Sequence, residues 1–166
     1  MTMEGILVEQ RLLSELKARG MTFAAAESCT GGLIAKRITD LSGASAVFRG
    51  GVVSYTNDVK RDVLGVPQAL LDEHGAVSAP VAQAMAEGVR RITGANFGVS
   101  VTGVAGPDRD DRGNEVGTVY LAVSTAQGTT ATLFRFGGDR AAIRSAAAGT
   151  AFRLVLQQLN ETQPNK

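Results

Sequence analysis

The 166-residue chain sets 17 Lys and Arg against 16 Asp and Glu, for a formal net charge of +1, so no global field recruits nucleic acid or an anionic membrane. Hydrophobic residues make up 44% and aromatics 5%, with no Trp, a composition that allows a real hydrophobic core but supplies few base-stacking platforms. A lone cysteine, Cys29, excludes an internal disulfide and a cysteine-based zinc site.

The N-terminus, with Glu4 and Glu9 near the start and no long apolar run, does not read as a signal peptide or an anchor. A cytoplasmic location with no membrane partner is therefore expected. Residues 4–19 space Ile6, Leu12, Leu13 and Leu16 at helical intervals and stop at Gly20, predicting an amphipathic opening helix. Residues 21–25 read as a short buried strand. A loop with two hydroxyls, a thiol and two glycines follows, and residues 32–41 form a helix with Leu33, Ile34, Ile38 and Leu41 on one face. A strand–turn–helix unit of this kind aims side chains and unpaired helix-start amides at one point, which suits an oxyanion or a phosphate. It matches none of the P-loop, dinucleotide or nucleophile-elbow patterns. A plain helix-capping role for Ser28 or Thr30 stands beside the chemical one.

Residues 45–55 are rich in β-formers around Gly50-Gly51, which suggests a bulge or a close backbone approach. Thr56-Asn57-Asp58 offers capping chemistry for a short helix, placing Tyr55 at a strand end and Lys60 in the first turns. A helix then runs from Val66-Pro67 to His74, with Gly75 as its stop, and a long one from Pro80 to Thr93. Residues 97–101 form a buried strand running into a second glycine-rich loop at 102–107. The charged stretch 108–115 reads as a solvated excursion rather than a magnesium site, because Arg109 and Arg112 are interleaved with its acids. Residues 116–123 and 129–136 form a hairpin about Gln127-Gly128. Asp139 caps a last helix ending near Leu159, and 160–166 form a frayed tail.

Strands alternating with helices, then a hairpin, then a helix, predict one α/β layered domain over residues 1–166 with a mixed central sheet flanked by helices. Glycine-rich turns collect at the carboxyl ends of the strands, where open α/β sheets bind ligands. One site is expected there, built from the loops at 28–32, 55–60, 75–78, 102–107 and 137–140.

Serine needs a base to become a nucleophile. The single histidine, His74, sits at a helix C-terminus, where a structural role is the simpler reading. Lys60 is the better base: a helix N-terminus, neighbouring Arg61 and burial would each favour its neutral amine. Lys36, further along its helix, is a weaker rival. Tyr55 could orient the lysine, and Arg140 could pair with a phosphate or carboxylate. Cys29 is a rival nucleophile to Ser28, and the residues alone do not choose between them.

Taken together, Ala26-Glu27-Ser28-Cys29-Thr30-Gly31-Gly32, the run from Gly51 to Lys60, His74-Gly75-Ala76-Val77-Ser78, Thr102-Gly103-Val104-Ala105-Gly106-Pro107-Asp108, Val116-Gly117-Thr118-Val119 and Gly138-Asp139-Arg140 resemble the CinA C-terminal domain family of nicotinamide-nucleotide amidases. The resemblance covers nearly the whole chain in order. It implies hydrolysis of the carboxamide of nicotinamide mononucleotide to nicotinate mononucleotide and ammonia, in pyridine nucleotide recycling, with no metal or other cofactor and no nucleic-acid partner. It further implies a homo-oligomer, with a dimer favoured. Carried over, Ser28 is the nucleophile, in preference to Cys29, Lys60 its base, Tyr55 an assisting hydroxyl and Arg140 a further active-site residue. The substrate would be held by Thr30, Gly31, Gly32, Ser78, Thr102, Gly103, Ala105 and Gly106, with amides around Thr30 to Gly32 stabilising the oxyanion. The stretch 109–115 departs from the family's glycine-rich pattern, and some relatives carry a larger N-terminal domain. A non-catalytic nucleotide-binding or protein-interaction module is the competing reading from another class; a nucleic-acid-binding competence factor is disfavoured by the near-neutral charge.

Overall fold

The computed structural model describes residues 7–162, so Ile6 of the opening helix and the end of the tail lie outside the described residues. The elements are α1 (Val8–Arg19), β1 (Phe23–Glu27), α2 (Leu33–Thr39), a 3-10 turn (Ala44–Ala46), β2 (Phe48–Val53), α3 (Asn57–Asp62), α4 (Gln68–His74), α5 (Ala79–Thr93), β3 (Phe97–Gly103), β4 (Thr118–Thr125), β5 (Gly128–Arg135) and α6 (Arg140–Glu161). The five strands form one mixed sheet in the order β2-β1-β3-β4-β5. β1 pairs in parallel with both β2 and β3, and the β4–β5 hairpin is added antiparallel to β3. The α/β layered fold with a mixed sheet is thus the one expected.

Both faces of the sheet are covered. Leu12 and Leu16 of α1, Ile34 and Ile38 of α2, and Phe152 and Val155 of α6 pack on one face against Phe23, Val99 and Leu121. Val81, Met85 and Val89 of α5 pack on the other against Ala24 and Ala26, with Leu64, Val66 and Leu71. β3 encodes this asymmetry in its alternation, since successive side chains point to opposite faces. Phe97, Val99 and Val101 fill the thick face. Gly98, Ser100 and Thr102 face α5, and they are small because that helix comes close: a Cβ on Gly98 would stand 2.3 Å from the Ala86 carbonyl. Ser100 Oγ donates to the Ala82 carbonyl at 2.6 Å and Thr102 Oγ1 to that of Ala76 at 2.8 Å.

Several bounds differ from the sequence reading, each for a local reason. β1 begins two residues later and runs through Glu27, because Ala26 and Glu27 find partners on both sides, in Val52 and Val53 of β2 and in Ser100 and Val101 of β3. The stretch 45–55 divides into the 3-10 turn and β2. Its glycine pair behaves as expected: pairing jumps from Phe48 to Gly50 opposite Phe23 and Ala24, and Gly51 lies so close to β1 that a Cβ would stand 2.9 Å from the Ala25 carbonyl. Asp139 caps α6 as predicted, its Oδ1 accepting from Ala142 N at 2.9 Å.

The tightest helix approach is at Gly88 of α5, where an added Cβ would stand 2.1 Å from the Leu64 carbonyl. Backbone cannot yield there as a flexible side chain would. Gly88→Ala is expected to destabilise the fold by about 2–4 kcal/mol despite alanine's better helix propensity, read from urea unfolding curves. An unchanged midpoint would mean that α5 is free to move away from the 64–66 connection.

Candidate active site

At the carboxyl end of the parallel strands, β1 ends in Glu27 and the next residue is Ser28. The Ser28 amide donates to the Val101 carbonyl at 3.0 Å, which fixes the residue to β3. From the neighbouring strand, Ser54 N donates to the Glu27 carbonyl at 2.8 Å before the chain turns into α3. That helix carries Lys60 back under the β1 turn. Lys60 Nζ lies 2.9 Å from Ser28 Oγ and 2.8 Å from the Ser54 carbonyl. Only 1% of Lys60 is exposed. Burial disfavours the charged amine and lowers its pKa from 10.5 to about 8, partly offset by Cys29.

The cause differs in part from that argued on sequence. Lys60 sits in the last turn of a six-residue helix, and Arg61 turns to solvent against Asp62 and Asp58. Desolvation, not a helix N-terminus or Arg61, supplies the effect. A neutral amine can donate to Ser54 while its lone pair receives the Ser28 hydroxyl proton, which is the arrangement a general base requires.

The turn after Ser28 is tight: Gly31 N donates to the Ser28 carbonyl and Leu33 N to that of Thr30. Gly31 and Gly32 have φ of +59° and +104°, a conformation that favours glycine. Arg144 of α6 secures the turn from outside, donating to the carbonyls of Cys29 and Thr30 at 3.1 and 3.0 Å. The start of α2 is not open, as its glycine-rich entry suggested. The Glu27 carboxylate occupies it, accepting from Ile34 N at 2.8 Å and Ala35 N at 3.1 Å.

A cavity of about 220 Å³ opens over this pair, lined by Ser28, Cys29, Tyr55, residues 103–106, Asp108, Asp110 and Arg140. Arg140 reaches across it, donating to the Gly106 carbonyl at 2.7 Å and to Tyr55 Oη at 3.1 Å. The structure therefore gathers Ser28, Lys60, Tyr55, Arg140, Gly103, Ala105 and Gly106 at one place. Thr30, Gly31, Gly32, Ser78 and Thr102 do not line the cavity. Thr30 is fully buried, and its hydroxyl finds no partner among the described residues. Ser78 and Thr102 spend their hydroxyls on the Gly75 and Ala76 carbonyls.

The rivals separate on position. Lys36 pairs with Asp40 at the surface. His74 ends α4 beside Glu73. Cys29 lines the cavity, but burial pushes its thiol from 9.0 up to about 11, so it is held as the unreactive thiol. The 108–115 stretch is largely exposed, as expected, but it is anchored to the fold. Asp110 accepts from the amides of Arg112 and Asn114 and from the Asn114 side chain, and Arg112 donates to the carbonyls of Leu71, Asp72 and Glu73 at the end of α4. This clasp places Asp108 and Asp110 on the cavity wall. Among the described residues no group of three His, Cys, Asp or Glu side chains is arranged to hold a metal ion. Glu27, Ser54 and Arg144 escaped the sequence reading; the carboxylate just before a Ser-Cys-Thr-Gly-Gly turn was the one available signal, since a buried acid beside a helix start needs a reason.

The family profile of the CinA C-terminal domain matches residues 7–159. The CinA-like protein of Geobacter sulfurreducens is 52% identical over 143 residues, 86% of this chain and 35% of that protein. A putative competence-damage inducible protein of Desulforudis audaxviator is 46% identical over 154 residues, 92% of this chain and 37% of that protein. The chain thus spans about a third of the length of the curated relatives it matches. Among solved structures, the competence/damage inducible protein CihA of Agrobacterium tumefaciens superposes with a TM-score of 0.87 at 41% identity, covering 92% of this chain and 93% of that one. A CinA-superfamily protein of Klebsiella pneumoniae superposes with a TM-score of 0.90 at 32% identity, covering 93% and 96%.

The buried amine leaves a signature in stability. Between pH 8 and 10.5 the unfolded chain still holds the Lys60 proton while the folded chain has lost it, so folding gains stability as pH rises through that window. Below pH 8 the full penalty of burying the amine is present. Protein that keeps Lys60 is therefore expected to gain about 3 kcal/mol over this window relative to Lys60→Met, read as the difference between urea unfolding curves across the pH range. Both proteins carry Cys29→Ala in this comparison, because Cys29 and Lys60 interact and the thiol's opposing contribution would not cancel. Parallel stability curves for the two proteins would show that Lys60 keeps an ordinary pKa.

Proposed function

The chain belongs to the CinA C-terminal domain family, and from that premise we propose that it is an amidohydrolase that deamidates nicotinamide mononucleotide. The observation that carries the reading is the buried Lys60 amine 2.9 Å from the Oγ of Ser28, a residue that lines the cavity. Such a pair activates a serine without histidine or metal.

In the proposed reaction Ser28 Oγ attacks the carboxamide carbon as its proton passes to Lys60 Nζ. The tetrahedral intermediate collapses by breaking the C–N bond, and Lys60 returns the proton to the departing nitrogen, which leaves as ammonia. A water molecule then attacks the Ser28 ester, giving its proton to Lys60, and the serine leaves with that proton. One amide and one water become one carboxylic acid and one ammonia. The Ala105 and Gly106 amides form no hydrogen bond to the protein among the described residues, and both residues line the cavity. Their place on the cavity wall favours them as oxyanion donors over the amides of Thr30 to Gly32, residues that do not line it. Arg140, held by Gly106 and Tyr55, offers a guanidinium for the nucleotide phosphate.

Ammonia release from nicotinamide mononucleotide tests this. Ser28→Ala and Lys60→Met are each expected to lose at least about a thousandfold in kcat, while Cys29→Ala stays within about threefold because its thiol is held protonated. Since the base must be neutral, kcat/KM should rise about tenfold per pH unit below pH 8 and level off above it. Nucleotide binding without ammonia release by the native protein would favour the binding-module reading. Loss confined to Cys29→Ala would overturn Ser28 as nucleophile.

A further inference from the structure

The carboxylate of Glu27 is buried, with 1% of the residue exposed. Among the described residues it forms no ion pair; its oxygens are satisfied by the amides of Ile34 and Ala35 in the first turn of α2. A carboxylate in that position is favoured by the partial positive charge of the helix start. The backbone of the same residue is fixed separately, paired with Val53 of β2 and Val101 of β3. Its carbonyl accepts from both Ser54 N, at 2.8 Å, and Ser54 Oγ, at 3.2 Å.

These contacts close a ring. Ser28 follows Glu27 in the chain, Lys60 Nζ lies against Ser28 Oγ, the same Nζ donates to the Ser54 carbonyl, and Ser54 donates back to Glu27. Glu27 is the member of the ring that also reaches across the five-residue turn between β1 and α2. With its backbone held by the sheet and its carboxylate by the helix, it leaves the Ser28 turn no freedom to tilt away from the amine.

We propose that Glu27 is the positioning residue of the Ser28–Lys60 pair: its carboxylate closes the α2 start and so presents Ser28 to the base. It governs how fast Ser28 is acylated rather than how tightly substrate binds. The proposal rests on Ser28 being the nucleophile, as proposed above, but not on the identity of the substrate.

The test measures time-dependent labelling of Ser28 by a fluorophosphonate between pH 7 and 9.5, in native protein and in the Ser28→Ala, Glu27→Gln and Glu27→Asp variants, with circular dichroism and urea unfolding of each. Glutamine turns an N–H group toward one of two backbone N–H donors, which opens the clasp; aspartate keeps the charge but is one methylene short. Glu27→Gln, still folded, is expected to label about tenfold to a hundredfold more slowly, the scale of a small misplacement of a reacting group. Its pH midpoint should stay near the native value while the plateau falls, and in ammonia release kcat should drop with KM little changed. Glu27→Asp should fall between the two. If Glu27→Gln does not fold, Glu27→Asp decides, with a loss of at least about fivefold expected. A folded variant that labels at the native rate, even with a lower unfolding midpoint, reduces Glu27 to a stability element and overturns the proposal. Native protein that does not label at Ser28 overturns the serine–lysine reading and this inference with it.

Discussion

The burial of one amine organises the functional end of this fold. A lysine with 1% of its surface exposed is costly unless it is neutral or well partnered, and among the described residues Lys60 hydrogen-bonds only a serine hydroxyl and a backbone carbonyl. Neither partner carries a charge. The site thus leaves the amine poised between its two protonation states instead of locking it as an ammonium in an ion pair. A carboxylate in the position of either partner would have made a more stable lysine and a poorer base.

What makes the placement possible is the sheet. β1 is buried on both faces and paired on both sides, so the residue after it has little positional freedom. Ser28 inherits that rigidity through its amide bond to Val101, and Ser54 inherits it through Glu27. The small residues on one face of β3 draw α5 close, while the large ones on the other carry α6. α6 in turn delivers Arg140 to the cavity and Arg144 to the turn. Functional side chains from four elements meet because each is anchored to the same central strands.

Much of this was legible in the sequence, and the limits have physical causes. Periodicity revealed the layered fold, because alternation in strands and 3.6-residue spacing in helices report directly on burial. The glycine-rich turns after strands marked the cavity's edge, and the motif set pointed to Ser28, Tyr55, Lys60 and Arg140, which the fold does bring together. Three things were hidden. The occupation of the α2 start depends on a side-chain rotamer of Glu27, and no pattern of residue types encodes a rotamer. The hydroxyls of Ser78 and Thr102 face backbone carbonyls, which a motif cannot distinguish from facing a ligand. The 108–115 stretch is exposed, as its alternating charges suggest, but its anchoring by Arg112 to carbonyls at the end of α4, far away in sequence, leaves no mark in a charge pattern.

The proposed choice of Ser28 over Cys29 rests on the same low-dielectric setting that lowers the lysine's pKa. Burial disfavours whichever form carries charge, so it acts on amine and thiol in opposite senses of protonation. It lowers Lys60 toward the neutral base and raises Cys29 toward the neutral thiol. A thiol needs to ionise before it attacks, whereas a serine hydroxyl only needs to hand its proton over as it attacks. In the proposed reaction, one environment therefore suits the serine route and disfavours the thiol route at adjacent positions. The charge of Arg144 favours a thiolate without offsetting burial, and its Nε and one terminal nitrogen donate to the Cys29 and Thr30 carbonyls, where it secures the turn. The attack is thus proposed for the intrinsically weaker nucleophile, because the burial that favours a neutral Lys60 also favours a neutral Cys29.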